Sequence, residues 1–206
     1  MGCRSGCGLV TTTEKVQEAR AASTATHVPG QPDMWFFVLF ESLVFTSYFC
    51  IYLFTRTQHE KAFLQSQSHL LLWLGALETI VMLTSSWTVA RSVQNARAGQ
   101  YGVAKRDALI TAGCGVVFLV LKVIEWTRLI RGGHTFTSSG FFQYYFFLTG
   151  MHLLHLLVGF VALGVLFNQL SAPKKRSQEA IETCATYWHT VDFLWVLIFA
   201  LLYVVR

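Results

Sequence analysis

Apolar residues in this chain are gathered into five blocks rather than scattered, at residues 34–54, 70–90, 108–126, 141–167 and 186–205. Crossing about 30 Å of hydrocarbon at a helical rise of 1.5 Å per residue takes roughly twenty residues, which is the length of each block. Charged and turn-forming residues separate them at 56–61, 91–107, 128–133 and 173–182. In lipid every backbone polar group must be satisfied within the segment, so each block is expected to be a helix. The pattern predicts an all-α, polytopic membrane protein whose short loops pack the five helices as one bundle over residues 34–206. Residues 1–33 lack a continuous apolar core, so they do not resemble a cleaved signal peptide and are expected to be a disordered cytoplasmic tail. The first span would then act as its own insertion signal.

Composition agrees with lipid as the solvent. Hydrophobic residues make up 53% of the 206 and charged residues 13%, about half the charged share of a soluble domain. A net charge of +5 could point to nucleic acid, but the basic residues lie in loops, where membrane topology accounts for them. Ten fall on the side of the N-terminus: Arg4, Lys15, Arg20, Arg91, Arg97, Lys105, Arg106, Lys174, Lys175 and Arg176. Five fall on the other: Arg56, Lys61, Arg128, Arg131 and Arg206. The bias places the N-terminus in the cytoplasm and the C-terminus outside. Of the five cysteines, Cys50 and Cys114 lie inside spans, so a disulfide framework is not expected. Cys3 and Cys7 are too loosely spaced for a metal site and receive no role.

An ionisable side chain in hydrocarbon is costly unless paired, so each one inside a span asks for a partner or a function. Under alternating topology Glu78 lies about 12 Å below the outer edge of the second span and Lys122 about 8 Å below that of the third. Those depths match within boundary error, and Glu125 shares a helix face with Lys122, so Glu78, Lys122 and Glu125 are expected to form one buried ion cluster. It would either fix the packing of two spans or conduct protons. The first is favoured, because a lysine between two carboxylates tends to keep both ionised. Glu41 has no basic residue at its depth in any other span and is read as unpaired, which makes it a candidate for handling protons. His152 and His155 on the fourth span, with Tyr187, Trp188, His189 and Asp192 on the fifth, complete the polar set. Bis-histidine haem ligation is disfavoured, since His152 and His155 share a helix face and His189 lies at another depth. Hydrogen bonding between helices is the commoner role. No catalytic or metal-binding residue is assigned.

Two segments then read together: Gly150-Met151-His152-Leu153-Leu154-His155-Leu156-Leu157-Val158-Gly159 and Tyr187-Trp188-His189-Thr190-Val191-Asp192-Phe193-Leu194-Trp195. They resemble the TGxHxxHVxxG and YWHFVDxxW signatures of the last two helices of subunit III of the haem-copper cytochrome oxidases. Upstream, Phe40-Glu41-Ser42-Leu43-Val44-Phe45 is similar to the family's SExxFF helix, with Glu41 at its buried carboxylate. Leu77-Glu78-Thr79 through Ser86 is similar to LNTxxLLxSS, and Lys122-Val123-Ile124-Glu125-Trp126 to QxxEY. Glu78 stands where the family has Asn, Lys122 where it has Gln, and Trp126 where it has Tyr. A lysine before that glutamate also resembles the five-span nitric-oxide-reductase accessory (NorE-type) branch, which lacks the first two of seven helices.

The resemblance implies an accessory, non-redox subunit of a respiratory terminal oxidase or nitric oxide reductase in the bacterial cytoplasmic membrane. It implies that the chain binds no haem or copper itself, that these reside in the partner subunit I, and that structural phospholipid is held between helices. It further implies support for assembly and for proton uptake by the catalytic subunit, with subunit I, other complex subunits and lipids as partners and no nucleic acid. The alternatives are a membrane-embedded haem cytochrome and a small proton or ion transporter. An aromatic-rich face including Phe141, Phe142, Tyr144, Tyr145, Phe146 and Phe147 is expected to meet neighbours or lipid.

Overall fold

The structure, a computed structural model, describes residues 32–172 and 177–205. Among the described residues six α-helices follow one another: α1 Pro32–Gln58, α2 Glu60–Gln67, α3 Leu72–Arg97, α4 Tyr101–Arg131, α5 Gly140–Ser171 and α6 Gln178–Phe199, the last continued by a π-helical turn, Ala200–Val204. Five of these helices, counting α6 with its π turn, are long and apolar enough to cross a membrane. Among the described residues there is no strand. The helices alternate in direction, so the bundle has a first face, where α1 begins, and a second face, which carries α2.

Each helix outruns its apolar block. The third span was expected to start at residue 108 and starts at Tyr101, and the fifth, expected at 186, starts at Gln178. Hydropathy marks where hydrocarbon ends, whereas the helix runs on through polar residues until its backbone is stopped. Gly99 (φ 75°) and Gly133 (φ 83°) supply the stops for α3 and α4. At each, the next amide reaches back five residues, Gln100 to the Asn95 carbonyl at 2.8 Å and His134 to that of Leu129 at 2.9 Å, the closure that a glycine in the left-handed region permits. Ser139 and Ser177 cap the starts of α5 and α6 by accepting from the amides of Phe142 and Ala180. Of the expected tail, Pro32 and Asp33 already belong to α1. The remainder, with Cys3, Cys7, Arg4, Lys15 and Arg20, lies outside the described residues, as do Lys174, Lys175, Arg176 and Arg206.

Helix α2 was not foreseen, because its mostly polar residues read as loop. It buries Phe63 and Gln67, and Gln67 Nε2 donates to the carbonyls of Leu202 and Val205, each at 3.0 Å. A π turn leaves carbonyls without their usual partner, and this side chain closes two of them.

Helix α3 packs against both α4 and α6, α5 joins α6 and α4, and α1 lies on the outside. Lipid offers little hydrophobic drive for helix association, so close approach and interhelical hydrogen bonds carry the packing. Thr88 meets Thr111 at 2.8 Å, Ser92 Oγ donates to the Ala104 carbonyl at 2.8 Å, and Trp188 Nε1 donates to Ser85 Oγ at 2.8 Å. Toward the first face Asn95 donates to Asp107 at 2.8 Å and Arg97 pairs with Glu182 at 2.9 Å. Helix α1 presents Phe36, Leu39, Leu43 and Phe54 outward, as suits a lipid-facing helix. The aromatic face expected on α5 divides: Phe141, Phe142 and Tyr145 are buried within the bundle and not offered to neighbours. Helix α2 and the π turn, which cover that side, account for this.

Gly115 shows how tight the packing is, since a Cβ there would come within 2.9 Å of both the Phe160 and Trp188 rings. Gly115→Val should therefore destabilise the bundle by about 1–3 kcal/mol, the usual cost of overpacking. Thermal unfolding in detergent, with Gly113→Val as the control in open space, checks this.

Candidate functional site

Lys122 lies in the last third of α4 with its side chain fully buried. Its ammonium donates to Glu125 Oε2 at 2.6 Å, one turn along the same helix, and lies 2.8 Å from Glu78 Oε2 on α3. The π turn brings Tyr203 alongside. Lys122 donates to the Tyr203 hydroxyl at 3.2 Å, and that hydroxyl reaches Glu125 Oε1 at 2.7 Å and Oε2 at 2.8 Å. Tyr145 of α5 approaches Tyr203 with its hydroxyl at 3.4 Å. The Trp195 ring lies 4.3 Å from Lys122 Nζ, so the cation also faces a π cloud. The structure thus brings together the three charged residues singled out from the sequence. It adds Trp195 from the signature segment, Tyr145 from the aromatic face of α5, and Tyr203, whose only sequence signal is a polar tip that needs a partner inside an apolar run. The two carboxylates differ: Glu125 is fully engaged, while neither oxygen of Glu78 receives a well-directed hydrogen bond.

Glu41 belongs to a second cluster, and the expectation that it is unpaired is corrected. His155 of α5 places Nε2 at 3.1 Å from Glu41 Oε2. The depth comparison counted only Lys and Arg, so it passed over an imidazole. His155 Nδ1 lies 2.8 Å from the Met151 carbonyl, which can only accept, so Nδ1 carries a hydrogen. A hydrogen bond between Nε2 and the carboxyl then needs one proton, held by the imidazole or by Glu41. The pair is a carboxyl and an imidazole sharing a single proton, near the lipid-facing side, with side chains 17% and 14% exposed. Tyr187 completes it by donating to the His155 carbonyl at 3.3 Å.

The other motif residues of α6 line the α3–α6 contact. His189 Nδ1 meets Ser86 Oγ at 2.7 Å, Trp188 holds Ser85, and Asp192 is buried beside Ser86. His152 is fully buried between the rings of Phe118 and Trp195, at 5.5 and 5.3 Å, and neither ring nitrogen has a partner. A bis-histidine haem would need facing imidazoles with room between them. Instead, His155 is tied to Glu41, His189 to Ser86, and His152 is packed face and edge by aromatic rings. Among the described residues no three His, Cys, Asp or Glu side chains come together as metal ligands would.

Residues 26–205 match the family model described as cytochrome c oxidase subunit III. The chain belongs to that family. Cytochrome c oxidase subunit 3 of Thermostichus vulcanus is 27% identical over 204 residues, spanning 92% of this chain and 96% of that protein. The probable cytochrome c oxidase subunit 3 of Mycobacterium leprae is 29% identical over 168 residues, 81% of this chain and 83% of that protein. Haem-copper oxidase subunit I+III of Aeropyrum pernix is 27% identical over 185 residues, which are 84% of this chain but 22% of that protein. In this subunit III chain the signature histidines and the Tyr-Trp-His segment serve contacts between helices, and the lysine-centred cluster occupies the bundle core.

Two outcomes follow from the two clusters. Lys122→Gln leaves the buried carboxyls without a cation and should cost about 3–5 kcal/mol, whereas Glu78→Asn takes away only the oxygen 2.8 Å from the ammonium and should cost less. The double substitution should recover much of that loss in a double-mutant cycle read by thermal unfolding, and strict additivity would mean that the residues do not interact. In the outer cluster, carbodiimides attack protonated carboxyls in apolar surroundings. His155→Leu obliges Glu41 to keep the proton alone, so labelling of Glu41, read by peptide mass spectrometry, should rise relative to the parent chain.

Proposed function

We propose that this subunit III homologue is the accessory, non-redox subunit of a respiratory haem-copper terminal oxidase, or of a nitric oxide reductase system built on the same plan. It assembles beside the catalytic subunit I, supports that subunit's assembly and proton uptake, and carries structural phospholipid. One observation carries the reading: in Aeropyrum pernix a relative named subunit I+III includes a region matching this chain as 22% of its length. A single polypeptide with that name keeps the two parts together, which argues that the free-standing homologue also works against subunit I. Haem and copper would then belong to subunit I, and this chain would contribute packing, lipid and proton-bearing side chains.

The geometry fits that division of labour. The lysine-centred cluster is enclosed by α3, α4, α5 and the π turn, as suits a supporting subunit. An open, mainly apolar groove of about 300 Å³ between α1 and α5, lined by Tyr48, Ile51, Tyr144 and Phe147, has the shape and chemistry to hold an acyl chain. The Glu41–His155 pair lies nearer the first face, where a proton on its way to subunit I could be exchanged. The excess of basic residues on that face supports a cytoplasmic N-terminus in a bacterial cytoplasmic membrane. Lys122 favours the nitric-oxide-reductase accessory branch, although the catalytic chemistry is decided by the partner.

Affinity purification from native membranes should bring down a large haem protein, and its spectrum and substrate separate oxidase from reductase. Deleting the chain should slow or destabilise that partner while its haem remains. A partner that assembles and turns over normally without the chain, or a haem spectrum from the purified chain alone, would defeat the proposal.

A further inference from the structure

The lysine-centred cluster has a property that the accessory role does not use. Lys122 carries one positive charge, Glu78 and Glu125 two negative charges if both are ionised, and the side chains are 0%, 0% and 4% exposed. Among the described residues no second cation forms an ion pair with either carboxylate. Helix α4 offers Arg128, which is not within ion-pairing distance of either carboxylate; α5 offers Tyr145 and His152, the π turn Tyr203, and the connecting segments at the second face His69 and His134. An uncompensated negative charge in such a place is strongly disfavoured, and a single proton removes it.

The hydrogen bonds say which carboxyl takes the proton. Glu125 accepts from Lys122 and from Tyr203 on both oxygens, the pattern of an ionised carboxylate. Glu78 Oε2 has only its close approach to the ammonium, and Oε1 has no partner at all.

Access is one-sided. A cavity of about 160 Å³ at the second face is lined by His69, Leu71, Glu125, Arg128, Leu129 and His134, large and polar enough for several waters. It ends on Glu125, so water there touches the cluster. Toward the first face Met82 on α3, Phe118 on α4 and Trp195 on α6 lie within a turn or two of the cluster on their own helices, each completely buried, and the Phe118 and Trp195 rings pack edge to face at 4.8 Å.

We propose that Glu78, Lys122 and Glu125 form a proton-binding site whose one exchangeable proton resides on Glu78 and is loaded from the second face through the His69–His134 cavity. The proton comes from water in the cavity, passes to Glu125, and reaches Glu78 across Lys122, whose ammonium takes up a proton from Glu125 as it gives one to Glu78; it returns by the same path. Because the far side is plugged, the site is a dead-ended well and not a channel. It depends on this chain's own side chains, whichever substrate the partner reduces.

Infrared difference spectroscopy of the full chain in lipid nanodiscs tests it. At neutral pH the parent should show a carboxylic-acid C=O band that shifts in deuterated water. Glu78→Gln should abolish that band and Glu78→Asp should move it, while Glu41→Gln and Asp192→Asn leave it in place. Lys122→Gln should add a second such band, since both carboxyls then lack a cation. Leu71→Trp, which fills the cavity, should slow the exchange into deuterated water. A band untouched by both Glu78 substitutions overturns the assignment to Glu78; a band that never exchanges, or exchanges as fast with the cavity filled, overturns the loading route. If Glu78→Gln fails to fold, the Glu78→Asp shift and the exchange rates decide the matter alone.

Discussion

The bundle depends on one ammonium group held where there is no water. A lysine buried inside the bundle is tolerable only if carboxyl groups reach it, and these come from α3 and from its own helix, with a phenol from the π turn beside them. Sliding α3 against α4 by one helical turn, about 5.4 Å, would take Glu78 away from the ammonium. The register of those two helices is therefore fixed electrostatically, and α6 is drawn into it through the π turn that carries Tyr203. The rungs on either side, Thr79 to Trp195, Ser85 to Trp188 and Ser86 to His189, fall into step with that register.

Hydropathy made the five spans, their order and their alternation legible, because lipid imposes length and apolarity on anything that crosses it. The cluster was legible for a related reason: buried charges are so costly that residues of opposite sign at equal depth are almost obliged to meet. Helix ends were not, since Arg91 through Arg97 and Tyr101 through Asp107 lie in a polar stretch where hydropathy says nothing about whether a helix continues. Glu60–Gln67 was missed for want of an apolar stripe. Glu41 was misjudged because histidine is neither a fixed cation nor a neutral residue, and counting only fixed cations discards it. Tyr203 was invisible because one hydroxyl in an apolar run carries no weight until the backbone turns it toward the lysine.

The family signatures take on a physical meaning here. His155 and Tyr187 belong with Glu41 on the α1 side, whereas Trp188, His189 and Asp192 face α3. A single sequence motif thus serves two contacts a quarter-turn or so apart, as neighbouring positions on a helix must. Polar residues act inside the bundle as adhesive and the outside is left to lipid, the inverse of a soluble domain only in what faces outward.

The turn between α3 and α4, residues 98–100, is very short. Glu78 and Lys122 therefore sit on two arms of one hairpin, on consecutive helices as the ribosome delivers them. They can enter the bilayer already joined, so the translocation machinery never has to release either charge alone into hydrocarbon. Tyr203, more than eighty residues later in the chain, closes over the pair only after the last helix has been made. The order of synthesis is thus the order in which the core is neutralised first and sealed afterwards.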